Sequence, residues 1–300
     1  MGYTYERLCA DITALSEKYR FVTVSSIGRS LVGRSIPLIS IGEGEKNVLF
    51  VGTHHGLESV TSLILMKYAA EYCRAAEACR TVAGIDASLL FRMRRVFIVP
   101  MLNPDGTELA VNGHDDRNPL TERLNAMSGG DFSRWQANGR GVDLNHNYNA
   151  GFEEYKKLEP TLGITGGGPT RFSGDHPESE PETSALCSFI RASDISLLMA
   201  LHTQGGEIYA DYGGHIPRGG KIIANRLSAL TGYRVAKPER TASYGGLKDW
   251  FINEYDRPSF TLECGYGKNP LPESDAGVIY AGIRRGLILF PAMGGQGGQE

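Results

Sequence analysis

The segment Asn47-Val48-Leu49-Phe50-Val51-Gly52-Thr53-His54-His55-Gly56-Leu57-Glu58 decides the fold class and holds the first candidate site. Its apolar half is nearly continuous, which is typical of a strand covered on both faces in a mostly parallel sheet. A histidine and a carboxylate three residues apart then follow, at the point where the strand gives way to a helix. His55 and Glu58 therefore form half of a predicted zinc site, although this pair also arises in helices by chance.

A second apolar run, Ser196-Leu197-Leu198-Met199-Ala200-Leu201, ends at His202. Two imidazoles and one carboxylate leave the fourth tetrahedral position of a zinc ion for water, as a catalytic site requires. The sequence therefore predicts one zinc ion per chain, bound by His55, Glu58 and His202.

Buried strands alternate with helices along the chain. The four apolar runs that predict strands are 47–53, 95–100, 195–201 and 259–262, and the helical patterns lie at 59–78, 178–191 and 275–291. Such alternation predicts an α/β sandwich. Long polar or glycine-rich stretches at 103–142 and 161–177 are predicted to be functional loops, because structureless loops of that length are uncommon in compact domains.

The composition argues against a nucleic-acid-binding, membrane-spanning or disulfide-rich protein. The 300 residues are 41% hydrophobic, which is enough for one large core or for two small domains. A net charge of −3 gives no electrostatic footprint for nucleic acid. No apolar stretch is expected to span a membrane, and the first residues lack the pattern of a secretion signal, so a cytoplasmic location is expected, with secretion as the alternative if a signal has been removed. The five irregularly spaced cysteines argue against a disulfide framework.

Two further carboxylates have candidate roles. Glu263 ends the apolar run 259–262, where it could take a proton from water and pass it to a leaving amine; a salt-bridged strand-end glutamate is the alternative. Asp143 is a candidate to accept the second N–H of a zinc-bound histidine, and a turn is the alternative. Asn145 could offer its amide to a substrate carboxylate.

Five motifs now support a family resemblance. The chain resembles the zinc metallocarboxypeptidases related to carboxypeptidase A from about Tyr5 to Leu289, through His55-x-x-Glu58, Asn103-Pro104-Asp105-Gly106, Gly141-Val142-Asp143-Leu144-Asn145, His202 and Glu263. The resemblance implies a single α/β/α sandwich domain over residues 1–300 with a mixed, mainly parallel central sheet. It also implies Glu263 as the general acid/base and His54 as a neighbour of the metal ligands.

The stretches 200–209 and 261–272 are similar to those of the bacterial γ-D-glutamyl-diamino acid peptidases. Those enzymes cut between D-glutamate and meso-diaminopimelate in cell-wall peptides. The resemblance therefore implies a muropeptide substrate and hydrolysis of that bond.

Three positions depart from the carboxypeptidase pattern. The arginine that follows the motif asparagine and clamps the terminal carboxylate is replaced by His146, which has no bidentate fork. Lys248 occupies the position of the side-chain specificity residue, where a cation suits a side chain ending in a carboxylate; a surface lysine is the alternative. Tyr244 is the candidate for the family's mobile phenol, offset by a few residues.

The family's oxyanion arginine also has no direct counterpart. The alignment on Trp135 places Gln136 there, and Arg140 is favoured as the substitute, with Arg134 as the alternative. This assignment requires the Arg140 side chain to point towards the zinc.

Three other functions stay open. They are a carboxypeptidase that removes C-terminal residues from ordinary peptides, a non-catalytic binding protein on the same fold, and a zinc amidohydrolase acting on small acyl-amino acids.

Overall fold

The computed structural model describes residues 2–238 and 243–294. Within them the strands are β1 (Thr23–Arg29), β2 (Ser35–Ile41), β3 (Lys46–Gly52), β4 (Thr81–Val82), β5 (Ile85–Asp86), β6 (Arg94–Val99), β7 (Ile195–His202), β8 (Glu207–Tyr209), β9 (Arg234–Val235) and β10 (Ser259–Glu263). The α-helices are α1 (Tyr5–Lys18), α2 (Val60–Glu77), α3 (Ala87–Met93), α4 (Pro104–Asn112), α5 (Thr121–Ser128), α6 (Phe152–Leu158), α7 (Pro181–Ala192), α8 (Gly220–Thr231), α9 (Leu247–Tyr255) and α10 (Ala276–Met293). The predicted strands correspond to β3, β6, β7 and β10, and the predicted helices to α2, α7 and α10.

The central sheet has eight strands in the order β1-β2-β6-β3-β7-β10-β8-β9. Its four middle strands, β6, β3, β7 and β10, are parallel to one another. The pairs β1–β2, β2–β6 and β8–β10 are antiparallel, and β8–β9 is parallel. The mixed, mainly parallel sheet predicted from the sequence is confirmed.

Helices cover both faces of this sheet. Along β3, Val48 and Phe50 belong to the core shared with α1, α2, α8 and α10. Leu49 and Val51 point the other way, into the core shared with α7 and α9. Because side chains alternate across a strand, a continuous apolar run is required to fill both cores. The result is the predicted α/β/α sandwich.

The C-terminal segment corrects one expectation. In the described part of the chain, Glu273–Met293 is long and apolar enough to cross a membrane by length and composition, whereas the sequence analysis expected no such stretch. Ile283, Leu287 and Phe290 of α10 are fully buried in the core beside α2 and α8. The apolar character of α10 therefore serves protein packing.

The parallel strands end at one edge of the sheet. His202 at the end of β7 is the register partner of Glu263 at the end of β10, and Gly52 at the end of β3 pairs with Leu201. In open α/β sheets, ligands bind beyond the carboxyl ends of the strands. The fold thus brings three chemically active segments to the place where a site is expected.

Candidate metal centre and active-site cavity

A tight turn after β3 aims Glu58 inward. Residues Gly56–Glu58 form a single 3₁₀ turn before α2 begins. The Gly56 N–H donates to the Gln136 carbonyl at 2.9 Å and the Leu57 N–H to the Trp135 carbonyl at 3.0 Å. A Cβ at position 56 would lie 2.3 Å from the carbonyl oxygen of Gly106, so only glycine fits this close approach.

Three potential ligand atoms converge at this turn. His55 Nδ1 lies 3.0 Å from Glu58 Oε1, and His202 Nδ1 lies 3.3 Å from Glu58 Oε2. The ligand atoms of His55, Glu58 and His202 all lie within 4.8 Å of one another. Glu58 and His202 are buried, at 1% and 2% exposure, so their polar atoms need partners inside the protein.

The donor set fits zinc. Both Nδ1 atoms face the same carboxylate, and His55 Nε2 lies 3.4 Å from Asp143 Oδ1, the carboxylate contact that commonly orients a zinc-bound histidine. His202 Nε2 is buried without a hydrogen-bond partner among the described residues. Two imidazoles and one carboxylate are the ligands of a catalytic zinc, and the cofactor is one zinc ion.

The pKa values of Glu58, Asp143 and His55 depend on the charges of their neighbours. Burial alone would raise the pKa of Glu58, but the neighbouring His55 and His202 lower it to about 2. Burial likewise opposes ionisation of Asp143, and His55 overcomes it and holds that pKa well below its usual range. Burial would lower the pKa of His55, and the carboxylates of Glu58 and Asp143 raise it well above its ordinary value. The cluster therefore contains two carboxylates that demand a nearby positive charge.

Glu263 completes the floor of the same cavity, which has a volume of about 210 Å³. Burial, followed by repulsion from Glu58, raises the pKa of Glu263 to about 8. A carboxyl group facing a metal site from the adjacent strand is positioned to exchange protons with water and substrate in the cavity.

Most of the predicted residues lie around this cavity. Its lining includes His55, Glu58, Asp143, Asn145, His146, His202, Lys248 and Glu263. His146 stacks on Tyr155 with ring centroids 4.1 Å apart, and its Nδ1 donates to the Tyr244 carbonyl at 2.7 Å. Lys248 is only 4% exposed, so the surface-lysine alternative is wrong.

One assignment needs correction, and a second stays a prediction. Arg140 does not line the cavity; its guanidinium pairs with the buried Glu180 carboxylate at 2.7 Å and donates to the Ser179 carbonyl. The buried carboxylate therefore draws Arg140 away from the metal site, and its predicted oxyanion role is wrong. The ring of Tyr244 lies against Gly151 and near Tyr155, outside the cavity lining, so its role as the mobile phenol stays a prediction. Its carbonyl orients His146.

Several cavity residues were missed. Arg171 and Thr170 come from the glycine-rich stretch 161–177, which length alone indicated as functional. Arg171 has a left-handed backbone (φ 69°), held by its N–H on Asp143 Oδ2 at 2.9 Å and its carbonyl accepting from Tyr155 Oη at 2.9 Å. Thr203, Tyr209 and Asp249 also line the cavity, as does Gln136, which the sequence analysis had placed at the oxyanion position. Asp249 directly follows Lys248, which the sequence had indicated as a specificity residue, so its place in the cavity could have been predicted from that adjacency.

A zinc site that leaves one position for water, at the carboxyl edge of an α/β sheet, places the protein among the metal-dependent hydrolases. The sequence profile of the zinc carboxypeptidase family (peptidase M14) matches residues 8–278. The chain belongs to this family and is a zinc metallopeptidase, a hydrolase of peptide bonds.

Two relatives and one solved structure are similar along most of the chain. Gamma-D-glutamyl-L-diamino acid endopeptidase 1 of Lysinibacillus sphaericus is 34% identical over 282 residues, which cover 93% of this chain and 69% of that one. The uncharacterized protein YqgT of Bacillus subtilis (strain 168) is 34% identical over 278 residues, covering 90% and 72%. The crystal structure of carboxypeptidase A from Helicoverpa armigera has a TM-score of 0.71 at 21% identity, covering 97% and 74%, and supports the fold alone.

The zinc content of two variants should distinguish the ligand His55 from its neighbour His54. His54 is buried beside the ligands, but its Nε2 pairs with Tyr148 Oη at 3.0 Å. We expect His55→Ala to lose its zinc because one of three ligands is gone, and His54→Gln to keep one zinc per chain. The measurement is bound zinc per folded chain by atomic absorption after dialysis. Equal zinc loss in both variants would contradict the ligand assignment.

Proposed function

We propose that this peptidase hydrolyses the bond between γ-D-glutamate and meso-diaminopimelate in cell-wall muropeptides. The observation that carries the proposal is the pair Lys248 and Asp249 in the wall of the metal cavity. A buried cation and a buried anion, side by side next to the catalytic centre, suit a substrate group that carries both charges.

Lys248 and Asp249 contact each other directly in the cavity wall. Lys248 Nζ donates to Asp249 Oδ1 and to the Asp211 carbonyl, and the two residues are 4% and 2% exposed. Burial raises the pKa of Asp249 to about 6, and the neighbouring Lys248 opposes this rise. The side chain of meso-diaminopimelate ends in a carbon bearing a carboxylate and an ammonium group. Opposite charges arranged in this way select a zwitterionic partner over a singly charged one.

His146 supports an internal scissile bond. A carbonyl can only accept, so the contact with the Tyr244 carbonyl fixes the proton on His146 Nδ1 and leaves Nε2 as an acceptor. Burial lowers the pKa of His146, which keeps the ring neutral. A neutral acceptor cannot clamp a free terminal carboxylate as the arginine of the carboxypeptidase pattern does.

Arg171 supports the γ-linkage. Its exposed side chain lines the cavity and has no ion-pair partner within residues 2–238 and 243–294. A γ-linked D-glutamate retains a free α-carboxylate on the acyl side of the scissile bond, separated from the scissile carbonyl by Cα and the side-chain methylenes. We assign Arg171 as the group that binds this α-carboxylate.

The relative from Lysinibacillus sphaericus supports the same substrate, because its name states a gamma-D-glutamyl-L-diamino acid endopeptidase and it matches 93% of this chain.

The proposed chemistry divides the work among the chain's own residues. Zinc, when bound, acts as a Lewis acid that lowers the pKa of water and polarises a carbonyl. Glu263 accepts the proton of the attacking water and passes it to the leaving amine of diaminopimelate. Asp143 holds the His55 ring in place, and Gln136 lines the cavity at the position that the alignment assigns to the oxyanion donor.

A carboxypeptidase with acidic preference is the second candidate, favoured by one observation. Lys248 in the cavity wall would also attract the side chain of a C-terminal aspartate or glutamate. The two functions differ in whether a free C-terminus is required.

A substrate panel tests the proposed function. The zinc-loaded enzyme should cleave L-Ala-γ-D-Glu-meso-diaminopimelate before the diamino acid, with or without a C-terminal D-Ala. Glu263→Gln should retain zinc and lower kcat by roughly 10²–10⁴-fold, the usual contribution of a general acid/base. Mass spectrometry identifies the products. Loss of single C-terminal residues from ordinary peptides, with the γ-bond intact, would establish the second candidate.

The preference for meso-diaminopimelate should depend on Lys248 and Asp249. We expect the double variant Lys248→Met/Asp249→Asn to lose most of the preference for meso-diaminopimelate over L-lysine at the position after the scissile bond, because both charges that contact the distal group are gone. The double variant avoids leaving one buried charge unpaired. The measurement is the ratio of kcat/KM for the two peptides. Lys156→Met is the matched control, because Lys156 pairs with Glu159 outside the cavity. An unchanged ratio in the double variant would refute the role of the pair.

Arg171 should distinguish D-glutamate from its α-amide. We expect Arg171→Ala to lower kcat/KM for the γ-D-glutamyl peptide by roughly 10- to 100-fold, the value of a hydrogen bond between charged groups, and to affect the D-isoglutamine peptide much less. Arg140→Ala should preserve the preference between the two peptides, since Arg140 faces Glu180. An equal loss on both peptides in Arg171→Ala would contradict the assignment.

A further inference from the structure

The amide of Asn269 contacts the metal ligand Glu58. Its Nδ2 lies 3.2 Å from Glu58 Oε1 and donates to the Thr203 carbonyl at 2.7 Å. Its Oδ1 accepts from Thr203 Oγ1 at 2.7 Å. The Asn269 amide nitrogen and oxygen and the Thr203 hydroxyl thus belong to one hydrogen-bond network.

Thr203 contacts the other oxygen of the same ligand. Its backbone N–H donates to Glu58 Oε2 at 3.2 Å. Thr203 directly follows the ligand His202, so the network joins two metal ligands to the loop between β10 and α10. Both oxygens of Glu58 therefore receive a hydrogen bond from this network in addition to their contacts with the two histidines.

We propose that Asn269 is a positioning residue that holds Glu58 in its metal-binding orientation and thereby sets the zinc affinity of the site. A free glutamate side chain samples several rotamers, and fixing it costs conformational entropy when the metal binds. A donor that fixes the carboxylate beforehand removes part of that cost. Residues that orient metal ligands typically change metal affinity by about 10- to 100-fold when they are replaced.

Asparagine suits this position for a chemical reason. The amide donates to Glu58 and to a carbonyl while it accepts from a hydroxyl, which a carboxylate of the same shape cannot do. The loop itself is anchored elsewhere, because Arg134 Nη1 donates to the Asn269 carbonyl at 2.8 Å and the Gly205 N–H donates to the Gly265 carbonyl at 2.9 Å. Truncation of the side chain therefore removes the amide and leaves these backbone anchors in place.

The test is the zinc dissociation constant of Asn269→Ala, measured by competition with a chromophoric chelator. We expect it to rise by about 10- to 100-fold. The metal-free variant should unfold at nearly the same temperature as the metal-free parent. Asn112→Ala is the matched control, because Asn112 Nδ2 also donates to a glutamate, Glu108 Oε2, at an exposed position outside the cavity. Its zinc dissociation constant should stay within about twofold of the parent.

A second variant separates positioning from a general structural effect. Thr203→Val removes the hydroxyl that orients the Asn269 amide, and it should weaken zinc binding by a smaller factor. The double variant should bind zinc no more weakly than Asn269→Ala alone, because both changes break one network. Unchanged zinc affinity in Asn269→Ala, or additive losses in the double variant, would overturn the proposal. These measurements involve no substrate, so they do not depend on the proposed peptide specificity.

Discussion

The need to balance the charges of the buried Glu58 and the half-buried Glu263 in one cavity is the constraint on which the site depends. Glu58 adds to burial in raising the pKa of Glu263, although His55 acts in the opposite direction. Buried charges persist only when they are paired or bind a metal. A metal ion requires both histidine ligands to be neutral, so the ion itself supplies the positive charge that balances Glu58. A divalent ion among the three ligands relieves the repulsion between the two carboxylates. The charges of the cluster are therefore balanced only in the zinc-bound enzyme.

The parallel sheet makes this concentration of charge possible. Adjacent strands lie about 4.8 Å apart, and the ends of β3, β7 and β10 are neighbours at one edge. His55, His202 and Glu263 therefore meet although about 200 residues separate the first from the last. The turn after β3 is fixed by backbone hydrogen bonds to residues 135 and 136 and by the Asn103 side chain, which donates to the His54 carbonyl at 2.8 Å. The segment 103–142, predicted to be a loop, contains the helices α4 and α5. It supports the ligands and also lines the cavity through Gln136.

The sequence predicted the parts of the molecule that follow from strand position. A continuous apolar run must lie between two helical layers, and a polar residue at its carboxyl end must lie at the site, so the sheet and the three ligands could be predicted. Loop residues could not be placed in this way. Arg140 was assigned to the cavity because it is a nearby cation, but the buried Glu180 competes for it. The contact of Asn269 with Glu58 joins residues 211 positions apart and leaves no local pattern in the sequence.

Charge balance in the cavity argues for the γ-linked substrate more strongly than any single contact. Lys248 is neutralised by Asp249, and the histidine ligands face carboxylates, so Arg171 supplies the uncompensated positive charge among the described lining residues. A peptide ending in an ordinary residue would place its free carboxylate near His146, which is a neutral acceptor. A γ-D-glutamyl peptide instead carries its free carboxylate on the acyl side and a zwitterion on the amine side. In the proposed complex the acyl-side carboxylate binds Arg171, and the zwitterion lies beside the Lys248–Asp249 pair, so the substrate charges meet the charged residues of the cavity wall.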